Sequence, residues 1–271
     1  MKVLGILLGL AMGAAAVGTL VLFAGFYDVS ATDQHLRPTY RLLEIGLREA
    51  VERRGRLIAV PPLEDAALAQ RGLAHFREHC VQCHGAPGVA PEPFALGLVP
   101  HPSPLSSTGR DWTPGEIFWV IKNGLKMTGM PAWQFRMSDA DIWAIVAFVR
   151  RLPTLSPSDY RAMQAAKPGA HSEPSSAGGP QPRRGKTALQ QYGCVTCHTV
   201  PGVVGPLAHV GPPLDGIGSR KYIAGMLPNT TANMVRWIRE PQKLDRNTAM
   251  PDLGVTERDA RDIAAYLGSL E

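Results

Sequence analysis

CVQCH at residues 80–84 and CVTCH at 194–198 hold all four cysteines of this 271-residue chain. Two thiols three positions apart on one helical turn can bond both vinyl groups on a porphyrin edge. The imidazole that follows is then placed to ligate the iron, which is the c-type haem attachment pattern. Other chemistries use similar pieces. A zinc ribbon sets its CxxC pairs about 15–20 residues apart, whereas Cys83 and Cys194 are separated by 111 positions. A thioredoxin-like dithiol needs a βαβ context, and no β-branched strand run adjoins either motif. A structural disulfide leaves the histidine after each pair unexplained. The repeat therefore predicts two covalently bound haem c groups, attached through Cys80, Cys83, Cys194 and Cys197, with His84 and His198 as proximal ligands.

A low-spin haem of this type takes a methionine sulfur opposite the histidine. KNGLKMTGMPAW (122–133) follows the first motif and RNTAMPDLG (246–254) the second. Each offers a methionine directly before a proline: Met130 lies 46 residues beyond His84, and Met250 lies 52 beyond His198. Met127 is the rival in the first case, and methionine as plain core filler is the alternative in both. His75, His79, His101 and His209 read as loop or surface residues, because both irons already have two ligands.

The surrounding frame repeats as well. SDADIWAIVAFVRRL (138–152) aligns without gaps on TERDARDIAAYLGSL (256–270), and each opens with Ser or Thr and an Asp three positions on, a helix-start pattern. Ahead of each motif a short helix is expected, EDAALAQRGLAHFREH (64–79) and RGKTALQQYG (184–193), with Gly72 and Phe76, or Gly185 and Leu189, four apart on one face. A glycine there lets another helix cross closely. The pattern predicts an all-α protein containing two copies of one small helical fold.

These residues resemble the class I cytochromes c in their membrane-anchored dihaem form, over residues 66–152 and 186–271. The resemblance implies two tandem cytochrome c domains whose terminal helices cross at Gly72, Phe76 and Phe148, and at Gly185, Leu189 and Tyr266. It makes GPPLDGIG (211–218) the loop in which the Pro212 carbonyl orients His198, and it sets Trp237 against a haem propionate, with a core aromatic as the equal alternative. The first domain departs from the pattern. GAPGVAPEPFALGLVPHPSPL (85–105) lacks the glycine-proline phrase, so Pro102, Ser103 and Pro104 are all candidates to hold His84. Its methionine loop is similar to that of cytochrome subunits attached to bacterial terminal oxidases and periplasmic dehydrogenases.

Outside the two domains, Val3 to Tyr27 is free of charge and as a helix would extend roughly 37 Å against a hydrocarbon core of about 30 Å. Residues 1–27 are expected to be a transmembrane anchor, with a cleaved signal peptide as the alternative. Residues 28–65 read as an amphipathic connecting segment, in which Leu43, Leu47 and Val51 recur at helical spacing; it is expected to dock on the membrane surface or on a partner subunit, with a solvated spacer helix as the equal alternative. Residues 153–185, dense in Pro, Ser, Gly and Ala, read as a flexible linker. The formal charge is +5, with no clustered basic face, which excludes a nucleic-acid partner.

The resemblance places haem attachment outside the bacterial cytoplasmic membrane, hence a single-pass protein with periplasmic haem domains. It implies electron transfer with no catalytic residue. The partners expected are a haem–copper terminal oxidase, as acceptor or as host complex, and a cytochrome bc-type complex as donor. The alternative is the electron-accepting subunit of a periplasmic dehydrogenase. A dihaem peroxidase is disfavoured, because it needs an iron open to peroxide and each site here has a methionine.

Overall fold

The structure, a computed structural model, describes residues 2–33, 35–165, 179–205 and 210–271 and divides into two units, 1–174 and 175–271. The first contains α1 (Lys2–Phe23), α2 (Arg37–Gly55), α3 (Ala66–His79), α4 (Val81–His84), α5 (Pro93–Leu96), α6 (Leu105–Asp111), α7 (Pro114–Asn123), α8 (Asp139–Val149) and α9 (Pro157–Ala165). The second contains α10 (Pro182–Gln191), a short antiparallel hairpin of β1 (Tyr222–Ile223) and β2 (Leu227–Pro228), α11 (Thr231–Arg239), α12 (Pro241–Leu244) and α13 (Glu257–Gly268). That hairpin is the one sheet among the described residues, so the all-α expectation holds.

Side-chain caps decide where the long helices begin. Asp65 accepts from the Ala67 N–H at the start of α3, Ser138 from Asp141 at α8, and Thr256 from Asp259 at α13. Each supplies a partner for an amide that would otherwise have none inside the helix. Thr113 and Glu116 close a reciprocal capping box on α7.

Each core is then built on one helix crossing. A Cβ at Gly72 would lie 1.9 Å from the Ala144 carbonyl oxygen, so α3 meets α8 backbone to backbone. A Cβ at Gly185 would lie 1.9 Å from the Asp262 carbonyl oxygen, at the aligned position of α13. Phe76 and Phe148 flank the first crossing with ring centroids 5.0 Å apart, a tilted pair that adds about 0.5–1.5 kcal/mol beyond its buried area. The second crossing differs. Leu189 is buried, whereas Tyr266 is partly buried against the core and donates from its hydroxyl to the Pro201 carbonyl at 2.6 Å.

Asp141 and Asp259, whose N–H groups the Ser138 and Thr256 caps accept from, are buried and bond further. Asp141 approaches His75 Nε2 at 3.3 Å, while Asp259 accepts from the Tyr192 hydroxyl at 2.8 Å and faces Arg184 at 3.4 Å. His75 is thus engaged in the helix crossing, His79 packs on Trp133, and His101 is exposed. His209 lies outside the described residues.

Three boundaries differ from the sequence expectation. The apolar N-terminal helix ends at Phe23 instead of continuing to Tyr27. The connecting segment does form a helix, but its C-terminal half docks on its own domain. A Cβ at Gly55 would meet the Glu116 backbone nitrogen at 2.7 Å, and the Arg48 and Arg54 guanidinium groups lie over the Trp112 and Trp119 rings at 4.9 and 5.5 Å. The stretch expected to be linker is structured at both described ends. Helix α9 buries Tyr160 against Phe148, and α10 already contains Arg183 to Gly185. The Ser156 hydroxyl accepts from the Asp159 N–H, a cap signal visible in SPSD at 156–159.

Candidate functional site

Both CxxCH stretches wind into a single turn closed on the first cysteine. The Cys80 carbonyl accepts from the N–H groups of Cys83 and His84 at 3.1 and 3.0 Å, and the Cys194 carbonyl accepts from Cys197 and His198 at 3.2 and 3.0 Å. No disulfide joins any of the four cysteines, and burial pushes the Cys80 thiol up to about 12 and raises that of Cys194. Burial thus favours the neutral thiol at Cys80 and Cys194. Among the described residues no three His, Cys, Asp or Glu side chains converge as they would on a zinc ion.

Each histidine is oriented from behind. His84 Nδ1 lies 2.8 Å from the Ser103 carbonyl oxygen, and His198 Nδ1 lies 2.8 Å from the Pro212 carbonyl oxygen. A carbonyl only accepts, so Nδ1 carries the proton and Nε2 keeps its lone pair for a metal. Burial also holds the His84 pKa below the usual histidine value, which favours the neutral ring. Of the three candidates in the first domain, Ser103 is the acceptor. In the second domain Pro212 is the acceptor.

The Pro212 loop is clamped as well as hydrogen-bonded. Gly211 donates its N–H to the Cys197 carbonyl and Leu214 donates to that of Thr199, both at 2.8 Å. A Cβ at Gly211 would stand 2.4 Å from His198 Cε1, so the imidazole lies flat against a glycine that no other residue can replace without moving it.

The methionine loops separate Met130 from its rival. Met127 is 97% exposed and has a φ of 56°, whereas Met130 is half-buried against the core cluster of its domain. Met250 is likewise half-buried against the second core. In both loops the residue two before the methionine is a threonine whose hydroxyl accepts the methionine N–H, at 3.1 Å for Thr128 and 3.2 Å for Thr248. Trp237, on α11, is 9% exposed and packs in the second core with Met234 and Ile238.

Each domain therefore holds two cysteines at the i, i+3 spacing, a histidine whose Nδ1 is taken by an orienting carbonyl, and a partly buried thioether packed against the same core as the first cysteine. That donor set fits a covalently attached haem c at each site. The sequence left Ser103 as one of three candidates, and it carried an unread sign of the two threonine hydroxyls in the repeated Thr-x-Met-Pro.

Comparison with known proteins agrees with this geometry. Residues 67–149 match the family described as cytochrome c oxidase, cbb3-type, subunit III, and residues 182–271 match the cytochrome c family. The chain is 37% identical over 89 residues to a protein named cytochrome c oxidase subunit 2 from Alkalihalophilus pseudofirmus, covering 32% of this chain and 25% of that protein. It is 35% identical over 92 residues to the cbb3-type cytochrome c oxidase subunit CcoP of Azospirillum brasilense, covering 32% of this chain and 30% of that protein. It thus spans less than a third of the length of each of these relatives. No solved structure matches.

Proposed function

From the premise that the chain is a tandem of two cytochrome c domains, we propose that it is a membrane-tethered dihaem electron-transfer protein. In this reading its haem domains lie in the bacterial periplasm, and it passes electrons to, or within, a haem–copper terminal oxidase. Cys80 and Cys83 would attach the first haem and Cys194 and Cys197 the second. His84 and Met130, and His198 and Met250, would be the axial pairs. A bound haem supplies a one-electron ferric–ferrous couple.

The observation that carries the proposal is the same constellation built twice, with a pinned histidine and a partly buried methionine in each domain. The Ser103 and Pro212 carbonyls fix the ring orientation and raise the basicity of the metal-facing nitrogen. With Met130 and Met250 as ligands, no coordination position would be left for a substrate, so the chain's residues favour outer-sphere electron transfer over catalysis. The tether reading is supported by α1, 22 residues long, near the N-terminus and with no residue buried. An oxidase is favoured over a dehydrogenase as partner because both named relatives are oxidase subunits.

The test is a redox-titrated optical spectrum of the detergent-extracted protein, with haem quantified per chain and carbon monoxide and peroxide added in turn. Two c-type haems, a methionine–iron charge-transfer band and no reaction with either added ligand are expected. Carbon monoxide binding at one haem would remove one methionine from the ligand set and turn the reading toward an enzyme.

A further inference from the structure

We infer that Thr128 and Thr248 are positioning residues that hold the distal methionines in place through the backbone. The inference rests on the proposed ligand roles of Met130 and Met250. The two loops share little around the methionine, GLKMTGMPAW against LDRNTAMPDLG, yet both place a threonine two residues earlier with its hydroxyl accepting the methionine N–H, at 3.1 and 3.2 Å.

The chemistry of the flanks makes that bond matter. On the C-terminal side the following proline has a fixed φ and restricts the methionine to extended backbone. On the N-terminal side the threonine hydroxyl supplies the remaining restraint, a short side-chain-to-backbone bond of the kind that stabilises turns. In the first domain the same hydroxyl also donates to the Leu125 carbonyl at 2.8 Å, and the Leu125 N–H donates to the Met130 carbonyl at 3.2 Å. Loop 125–130 is therefore tied across itself on both sides of the thioether residue. Removing the hydroxyl leaves the methionine N–H to water and widens the range of positions its sulfur samples.

The experiment uses the full-length, detergent-extracted holoprotein in four variants, Thr128→Val, Thr128→Ser, Thr248→Val and Met130→Ala. Two quantities are read on the ferric protein: the methionine–iron charge-transfer band, and the rate at which cyanide replaces methionine at each haem. Met130→Ala identifies the kinetic phase of the first haem. Thr128→Val should speed that phase about two- to tenfold, the factor that one net hydrogen bond is worth. Thr128→Ser should restore the parent rate, and Thr248→Val should move only the other phase. If Thr128→Val matches the parent while Met130→Ala removes its share of the band, the positioning role is wrong and the ligand assignment stands. If Met130→Ala leaves the band whole, the ligand assignment itself fails and takes the inference with it.

Discussion

At the scale of single residues, the second site depends on an absent side chain. Gly211 leaves its Cβ position 2.4 Å from His198 Cε1 and 2.7 Å from Nδ1, the atom bonded to Pro212. In Gly211→Ala the methyl group must displace the ring or the loop, an overpacking that costs roughly 1–3 kcal/mol. The sign of the redox effect follows from the hydrogen bond. A longer Nδ1–H···O bond makes the imidazole a poorer donor, which disfavours the ferric state and raises the potential of the second haem. The first haem, oriented by Ser103, should be unaffected. Separate titration of the two haems checks this, and an unchanged second potential in a variant that loads two haems would show that the ring is not held by this contact. The first domain has Pro102 directly before the orienting Ser103, where the second has Gly211 directly before Pro212, so the residue preceding the acceptor differs between the two. That difference was open to the sequence only in part. HPSP offered three neighbouring residues, and a backbone carbonyl leaves no residue-type signature to choose among them.

At the scale of elements, propensity and packing make opposite predictions at the helix crossings. Alanine is better than glycine in a helix interior by about 1 kcal/mol, so Gly185→Ala in α10 should stabilise a helix considered alone. In the folded domain the new Cβ would sit 1.9 Å from the Asp262 carbonyl oxygen and 2.8 Å from the Ile263 nitrogen, both backbone atoms that rotamer changes cannot move. The helices must separate, and the net effect should be a loss of roughly 1–3 kcal/mol or more from the second domain's unfolding free energy. Chemical denaturation followed through the haem absorbance of each domain tests it, and a stabilised second domain would show that α10 does not cross α13 this closely. Both crossings were legible because glycine four residues before a large apolar residue is a local pattern. What escaped was contact between distant segments. Gly55 lies against Gly115 and Glu116, and Tyr160 fills the space beside Phe148, but neither α2 nor α9 announces its partner through its own periodicity. The Ser156–Asp159 cap was visible, yet the proline- and serine-rich surroundings outweighed it.

At the scale of the whole molecule, α1 contributes no residue to either core cluster. Val3, Leu4, Leu10, Leu20 and Phe23 are among its exposed apolar side chains, and none of its residues is buried. An apolar surface of that extent is beyond what a water-soluble monomer leaves uncovered. Its 22 residues rise roughly 33 Å as a helix, enough to cross a hydrocarbon core of about 30 Å. Both core clusters are complete without it, the first around Phe76, Ile145 and Phe148 and the second around Leu189, Trp237 and Ile263. A chain lacking residues 1–23 and carrying a cleavable export signal in their place should therefore fold, load two haems and keep both potentials, while moving from the membrane fraction to the soluble one. Loss of a haem would assign α1 a part in assembling the first domain. Retention on the membrane with both haems in place would assign the anchoring to a second surface, and the exposed Leu36, Tyr40 and Leu43 on and just before the free half of α2 would be the first to change. Only the combined result, soluble and fully loaded, separates tether from electron carrier as independent parts of one chain.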